Sequence, residues 1–297
     1  MELKPVKLFA YIDISNPLVE WETAIGRIKS IDSNEDDSFG ISLWQFGLIP
    51  EYLEKNETQR IRNELILEKI RQCYYPDKVS RLKGLYFFES IEDAKFALQY
   101  WDIPLDESCI SEVQFYPNSY TKVDSDWITD KIEKDTDVEW MHAYWSGKQK
   151  SKEPIYEIIA SGTGIILNTE LRKKAYKGIF DKYPESTPLL AMACCGFQYR
   201  NIENIARIIP GLVSKNSSIY AGYYISVNDL KHHEKELIEA ISIAKKNETF
   251  PPINKVKNPN IFFKLPDFSK YGFSFDEIDL VSNFELIHKK SHNKGFN

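Results

Sequence analysis

The sequence predicts a fold of mixed helix and strand, α+β in class, and three observations carry that expectation. Short runs rich in β-branched and aromatic residues recur, as in Leu8-Phe9-Ala10-Tyr11-Ile12 and Gly84-Leu85-Tyr86-Phe87-Phe88, which is the composition of strands. Between them lie longer stretches with apolar residues at helical spacing, such as Ile61, Leu65, Leu67 and Ile70. Pro, Gly and Asn stand where the two textures meet, at positions that stop regular structure.

Taken in order, residues 8–14 predict the first strand, and Asn16-Pro17 turns the chain after it. Residues 50–73 place their apolar positions among Glu, Arg and Lys and predict a helix, closed by Tyr75-Pro76. Residues 84–88 read as a buried strand. Ser90 then caps a helix that runs to about Trp101, with Asp93 at the capping-box position. Residues 112–116 predict a further strand, and Ser125-Asp126-Trp127 starts a short helix. Residues 156–159 and 164–167 predict two strand segments around Ser161-Gly162, where glycine permits a positive φ.

After about Arg172 the texture changes, with Lys173-Lys174 and then Tyr183-Pro184-Glu185-Ser186-Thr187-Pro188 marking a junction. Beyond it, residues 229–246 predict a helix capped by Asn228 or Asp229 and ended by Thr249-Phe250-Pro251-Pro252, and residues 289–297 a frayed tail. The chain therefore divides into residues 1–175 and a mostly helical extension, residues 176–297, too rich in apolar residues to be disordered.

Composition narrows the class. An apolar fraction of 42 % with 17 Phe, 17 Tyr and 6 Trp supplies ample area for a core. The net charge of −6 gives no overall attraction for polyanions. The basic stretch that includes Lys148, Lys150, Lys152, Arg172, Lys173, Lys174 and Lys177 is interleaved with Glu153, Glu157 and Glu170 and reads as a solvated surface. No apolar stretch reaches the length of a membrane span, and the amino terminus lacks the regions of a signal peptide, so a cytoplasmic protein is expected, without a membrane partner. The 4 cysteines form no CxxC pair, and His232-His233 lacks the spacing that puts two ligands on one helix face. No metal site is expected, and Cys194-Cys195 reads as buried thiol in a reducing compartment. P-loop, GxSxG and dinucleotide fingerprints are absent.

The informative block is residues 70–94. A Pro-containing turn delivers Ser80 and Arg81 to the start of the apolar strand Leu85-Tyr86-Phe87, a place from which polar side chains face a cleft. Downstream come Tyr144-Trp145-Ser146-Gly147 and Tyr156-Glu157-Ile158-Ile159, in which Glu157 opens a strand that runs into Gly162. In order and spacing this series, over residues 7–167, resembles an ADP-ribosyltransferase-like family of bacterial proteins.

That resemblance implies a split mixed β-sheet that clasps NAD, which is substrate as well as cofactor, with no metal. It implies Glu157 as the catalytic carboxylate, acting on the nicotinamide ribose. Arg81, with Ser80 beside it, would meet the diphosphate, and Tyr11, Tyr86 or Trp145 would pack on the rings. The activity implied is transfer of ADP-ribose to a macromolecular acceptor, nucleic acid or protein, in a toxin or phage-defence setting that leaves room for a neutralising protein partner. Ala10-Tyr11 stands where related enzymes place His or Arg, and Gly84 where a Ser is expected. Those departures favour the competing reading, an inactive NAD-binding or protein-interaction module of the same fold.

Overall fold

The computed structural model describes residues 4–31, 39–104, 106–134, 136–258 and 260–293. The chain opens with β1 (Val6–Tyr11), α1 (Pro17–Ile25), β2 (Arg27–Lys29) and β3 (Phe39–Gly40). It continues through α2 (Leu43–Glu54), α3 (Thr58–Tyr74), β4 (Leu85–Phe87), α4 (Ile91–Tyr100), β5 (Ile110–Asp124), α5 (Asp126–Lys131), α6 (Glu139–Trp145) and β6 (Tyr156–Ile166). The remainder comprises α7 (Thr169–Lys182), α8 (Thr187–Arg200), β7 (Ile208–Lys215), β8 (Ser218–Ile225), α9 (Asp229–His232), α10 (Glu234–Lys246), β9 (Phe273–Phe275) and α11 (Ile278–Asn293).

Strand β6 organises the first sheet. One of its edges pairs with β5, which pairs in turn with β1; its other edge carries β4 along residues 158–160 and β2 along residues 163–165. The second sheet runs β3-β7-β8-β9. All pairings among the described strands are antiparallel, so the expected mixed sheet is replaced by two antiparallel ones within a fold of helices and strands. The two segments expected around Ser161-Gly162 are one strand. Gly162 has φ +140° and a bulge opposes it at Pro117/Ser119, which absorbs the irregularity without breaking the ladder.

Several element boundaries differ from the sequence reading. Asn16-Pro17 starts a helix rather than a turn: the Asn16 side chain accepts from the Leu18 amide, and Pro17 occupies the first helical turn. The helix expected over residues 50–73 is two helices, because Asn56 adopts φ +59° between α2 and α3. Strand β5 extends well past the expected residue 116. The helix expected over residues 229–246 breaks at His233, and neither Asn228 nor Asp229 caps it through its side chain. Helix α11 runs to Asn293, through part of the tail expected to fray; residues 294–297 lie outside the described residues. Ser90 caps α4 as expected, and Cys194 and Cys195 are buried free thiols.

The expected boundary at residue 175 falls inside α7, and the principal core crosses it. Trp21 of α1 is fully buried against Phe268, and its indole donates to the Ala206 carbonyl at 2.8 Å. Arg27 of β2 pairs with Glu22 and donates to the carbonyls of Glu203 and Ile205 at 2.8 and 3.0 Å. The extension is mostly helical, as expected, and it also holds β7, β8 and β9, of which β7 pairs with β3. Among the described residues no helix is long and apolar enough to cross a membrane.

Candidate functional site

The site begins on α3, where Glu64 and Glu68 stand four residues apart and so share one helix face. Two like charges at that spacing destabilise a helix unless cations answer them. The next segment supplies the answer. After Pro76 the chain makes a turn in which the Gly84 amide donates to the Ser80 carbonyl at 2.8 Å, and this turn lays Ser80 and Arg81 against the two carboxylates. The Ser80 hydroxyl donates to Glu68 at 2.8 Å, while Arg71, one turn further along α3, pairs with Glu68 at 2.7 Å. Arg81 reaches Glu64: Nε donates to Oε2 at 3.0 Å and Nη2 to Oε1 at 2.9 Å.

Gly84 is required by close approach. A β-carbon there would lie 2.6 Å from Ile159 Cγ2 and 2.8 Å from the Ser80 carbonyl oxygen, so the serine expected at this position has no room.

Glu157 arrives from β6. Alternation along the strand places Glu157 and Ile159 on the face that packs against α3 and α6, with Val123 of β5 opposite Glu157. Arg81 Nη1 donates to Glu157 Oε1 at 2.7 Å and to the Tyr144 hydroxyl at 2.7 Å, and Tyr144 donates in turn to the same Oε1 at 2.9 Å. Oε2 of Glu157 has no protein hydrogen bond among the described residues. From β4, Tyr86 donates to the Arg81 carbonyl at 2.7 Å and accepts from Gln45 at 3.0 Å, with its ring centroid 5.4 Å from the guanidinium carbon.

Burial dominates the electrostatics. It raises the Glu157 carboxyl above the usual range, against the opposing pull of Arg81 and the Tyr144 hydrogen bond, and Glu64 adds to the rise. Burial alone would lower Arg81, but Glu64, Tyr144, Tyr86 and Glu157 together hold it well above its ordinary value. Tyr144 and Tyr86 are both raised, chiefly by burial. Two carboxylates, Glu64 and Glu157, thus share one guanidinium, and the cluster carries one negative charge in excess when both are ionised.

A cavity of about 970 Å³ runs past this cluster. Tyr11, Arg81, Tyr86 and Glu157, four of the residues singled out in the sequence, line it together with Trp44 and Gln45. Ser80 and Trp145 do not. Ser80 is committed to Glu68, and Trp145 is fully buried with its indole donating to the Leu67 carbonyl at 3.0 Å, so the ring is a packing element rather than a platform for a ligand. Its neighbour on α6, Tyr144, is the residue that reaches the site, because consecutive helical side chains diverge by about 100°. Arg81 also differs from expectation: the donors meant for a diphosphate are bound to Glu64, Tyr144 and Glu157. Glu64 and Gln45 escaped the sequence reading, of which the Glu64/Glu68 repeat left a signal, while Tyr144 stood in the recognised Tyr144-Trp145 step without a role assigned to it. Among the described residues no group of His, Cys, Asp and Glu side chains could hold a metal ion.

The family whose model matches the chain is described as Protein of unknown function (DUF2441), and the match covers residues 22–171, half of the chain. Glu64, Arg81, Tyr86, Tyr144 and Glu157 fall inside that range, whereas Tyr11 and the cavity wall formed by residues 270–273 fall outside it. No curated protein matches the chain.

Proposed function

This chain belongs to the DUF2441 family, whose description prescribes no activity, and from its own site we propose that it cleaves the nicotinamide bond of NAD and transfers ADP-ribose to a macromolecular acceptor. The observation that carries the reading is Glu157, which lines the cavity: one carboxylate oxygen is held by Arg81 and Tyr144, and the other has no donor among the described residues. When the bond from the anomeric carbon to nicotinamide breaks, the electron pair leaves with the ring and positive charge builds on the ribose. A fixed carboxylate in a site with excess negative charge stabilises that charge more than it stabilises the ground state. The acceptor nucleophile then bonds to the anomeric carbon and gives up its proton.

The surroundings support the same substrate. The cavity volume of about 970 Å³ lies at the upper end of the roughly 300–1,000 Å³ of small-ligand sites, and Trp44, Tyr86 and Tyr11 offer aromatic faces to planar rings. The test is incubation of the protein with cell lysate and NAD labelled in its adenylate part, followed by separate protease and nuclease digestion. Label retained on one macromolecular fraction with stoichiometric nicotinamide release supports transfer and identifies the acceptor class. Free ADP-ribose in amounts equal to nicotinamide would make the protein a hydrolase. Calorimetric binding of NAD with no nicotinamide released would reduce the site to a binding module.

A further inference from the structure

Of the two carboxylates that share Arg81, Glu64 has the stronger hold. It takes the Nε and Nη2 donors at 3.0 and 2.9 Å, the side-by-side geometry in which arginine binds a carboxylate best. Glu157 receives only Nη1 at 2.7 Å, and that nitrogen is divided with the Tyr144 hydroxyl. All three side chains are buried, so the interactions are poorly screened. We propose that Glu64 is a positioning residue that prevents Arg81 from neutralising Glu157: by occupying one edge of the guanidinium it confines Glu157 to a contact through a single oxygen and leaves the second oxygen charged toward the cavity. Without the Glu64 charge, the guanidinium is free to swing its two terminal nitrogens onto Glu157 in a fork and quench it.

The proposal rests on Glu157 being the group that acts on the substrate. The groups facing Glu157 are Arg81 from the turn before β4, Tyr144 from α6, Glu64 from α3 and Tyr86 from β4, while β5 presents the apolar Val123. Among the described residues Glu64 is the acid that reinforces the burial raising the Glu157 carboxyl.

The experiment is a carbon-13 NMR titration of protein labelled at the glutamate side-chain carboxyls, in wild type and Glu64→Gln, without NAD. Glu64→Gln and Glu157→Gln assign the two resonances. In Glu64→Gln the Glu157 midpoint should fall by about one pH unit or more, the effect of removing a close like charge. A Glu157 midpoint unchanged by Glu64→Gln overturns the proposal. If Glu64→Gln does not fold, Glu64→Asp, which keeps the charge but draws it back from Arg81, takes its place: the Glu157 midpoint should again fall, and an unchanged midpoint overturns the proposal. Nicotinamide release read on the same samples keeps the two ideas apart. The expected titrations with no release from wild type would sink the NAD reading and leave the role of Glu64 standing. If release occurs, Glu64→Gln should lower kcat by about tenfold or more with KM nearly constant, because the lost charge acts on the transition state.

Discussion

Tyr144 donates its phenolic hydrogen to Glu157 at 2.9 Å, on the same carboxylate oxygen that Arg81 holds at 2.7 Å. Both restraints converge on one atom, so the carboxylate is oriented without being capped. A group meant only to neutralise Arg81 would gain more by presenting both oxygens, as Glu64 does.

Glu157→Gln separates activity from stability. The amide oxygen can still accept from Arg81 and Tyr144, so shape persists while the charge is lost. NAD turnover should fall by about two orders of magnitude, roughly 3 kcal/mol, with binding affinity within a few-fold. Stability should move the other way. Glu157 titrates higher when folded than when unfolded, so its contribution is fully present below the unfolded carboxylate value and is lost as pH rises through the folded value. Thermal melts should therefore show Glu157→Gln gaining on wild type as pH rises from 4 toward neutrality. A stability difference, variant minus wild type, that stays constant over this range, or shrinks as pH rises, would contradict this assignment.

Arg81→Ala should act on folding rather than on NAD affinity alone. It leaves Glu64 and Glu157 buried without their shared cation, a change that costs about 3–5 kcal/mol. Urea unfolding would reveal it as a lower midpoint at unchanged slope. A variant of wild-type stability with only a raised NAD constant would return Arg81 to diphosphate binding.

Gly84→Ser tests whether the expected serine can be restored. Its β-carbon would meet Ile159 Cγ2 at 2.6 Å, the Ser80 carbonyl oxygen at 2.8 Å and Val79 Cγ1 at 2.9 Å. Two of these atoms belong to buried branched side chains and one to the turn that places Arg81. Overpacking of this kind costs about 1–3 kcal/mol, and turnover should fall as well because the turn must shift. Unchanged melting and unchanged rate would show that the turn yields freely.

Truncation to residues 1–175 should give an unfolded or insoluble chain. The cut lies within α7, strips α8 and Phe268 from Trp21, deprives Arg27 of two carbonyl partners, and leaves β3 unpaired. It also removes residues 207–208 and 270–273 from the cavity wall. Circular dichroism and NAD calorimetry on the fragment check this; a folded fragment that binds NAD would establish the amino-terminal part as an independent unit.

The sequence by itself determined the helix-and-strand class, the positions of β1, β4, α4 and the start of β6, the Ser90 cap, and two of the residues that meet at the site, Arg81 and Glu157. Those features are local: alternation, caps and turn residues act over a few positions along the chain. What the tertiary structure alone decided is the company those residues keep. Arg81 and Glu157 are 76 positions apart, and whether a buried guanidinium meets a ligand or two glutamates depends on how α3, α6 and β6 pack, which no local pattern encodes. The same holds for Tyr144 and Trp145, indistinguishable as neighbours in sequence, of which helix rotation sends one to the carboxylate and the other into the core. The boundary at residue 175 failed to mark separate cores for the same reason. Its Lys173-Lys174 and Tyr183-Pro184 signals are those of a helix surface and a helix end, whereas the burial of Trp21 against Phe268 joins residues far apart in the chain.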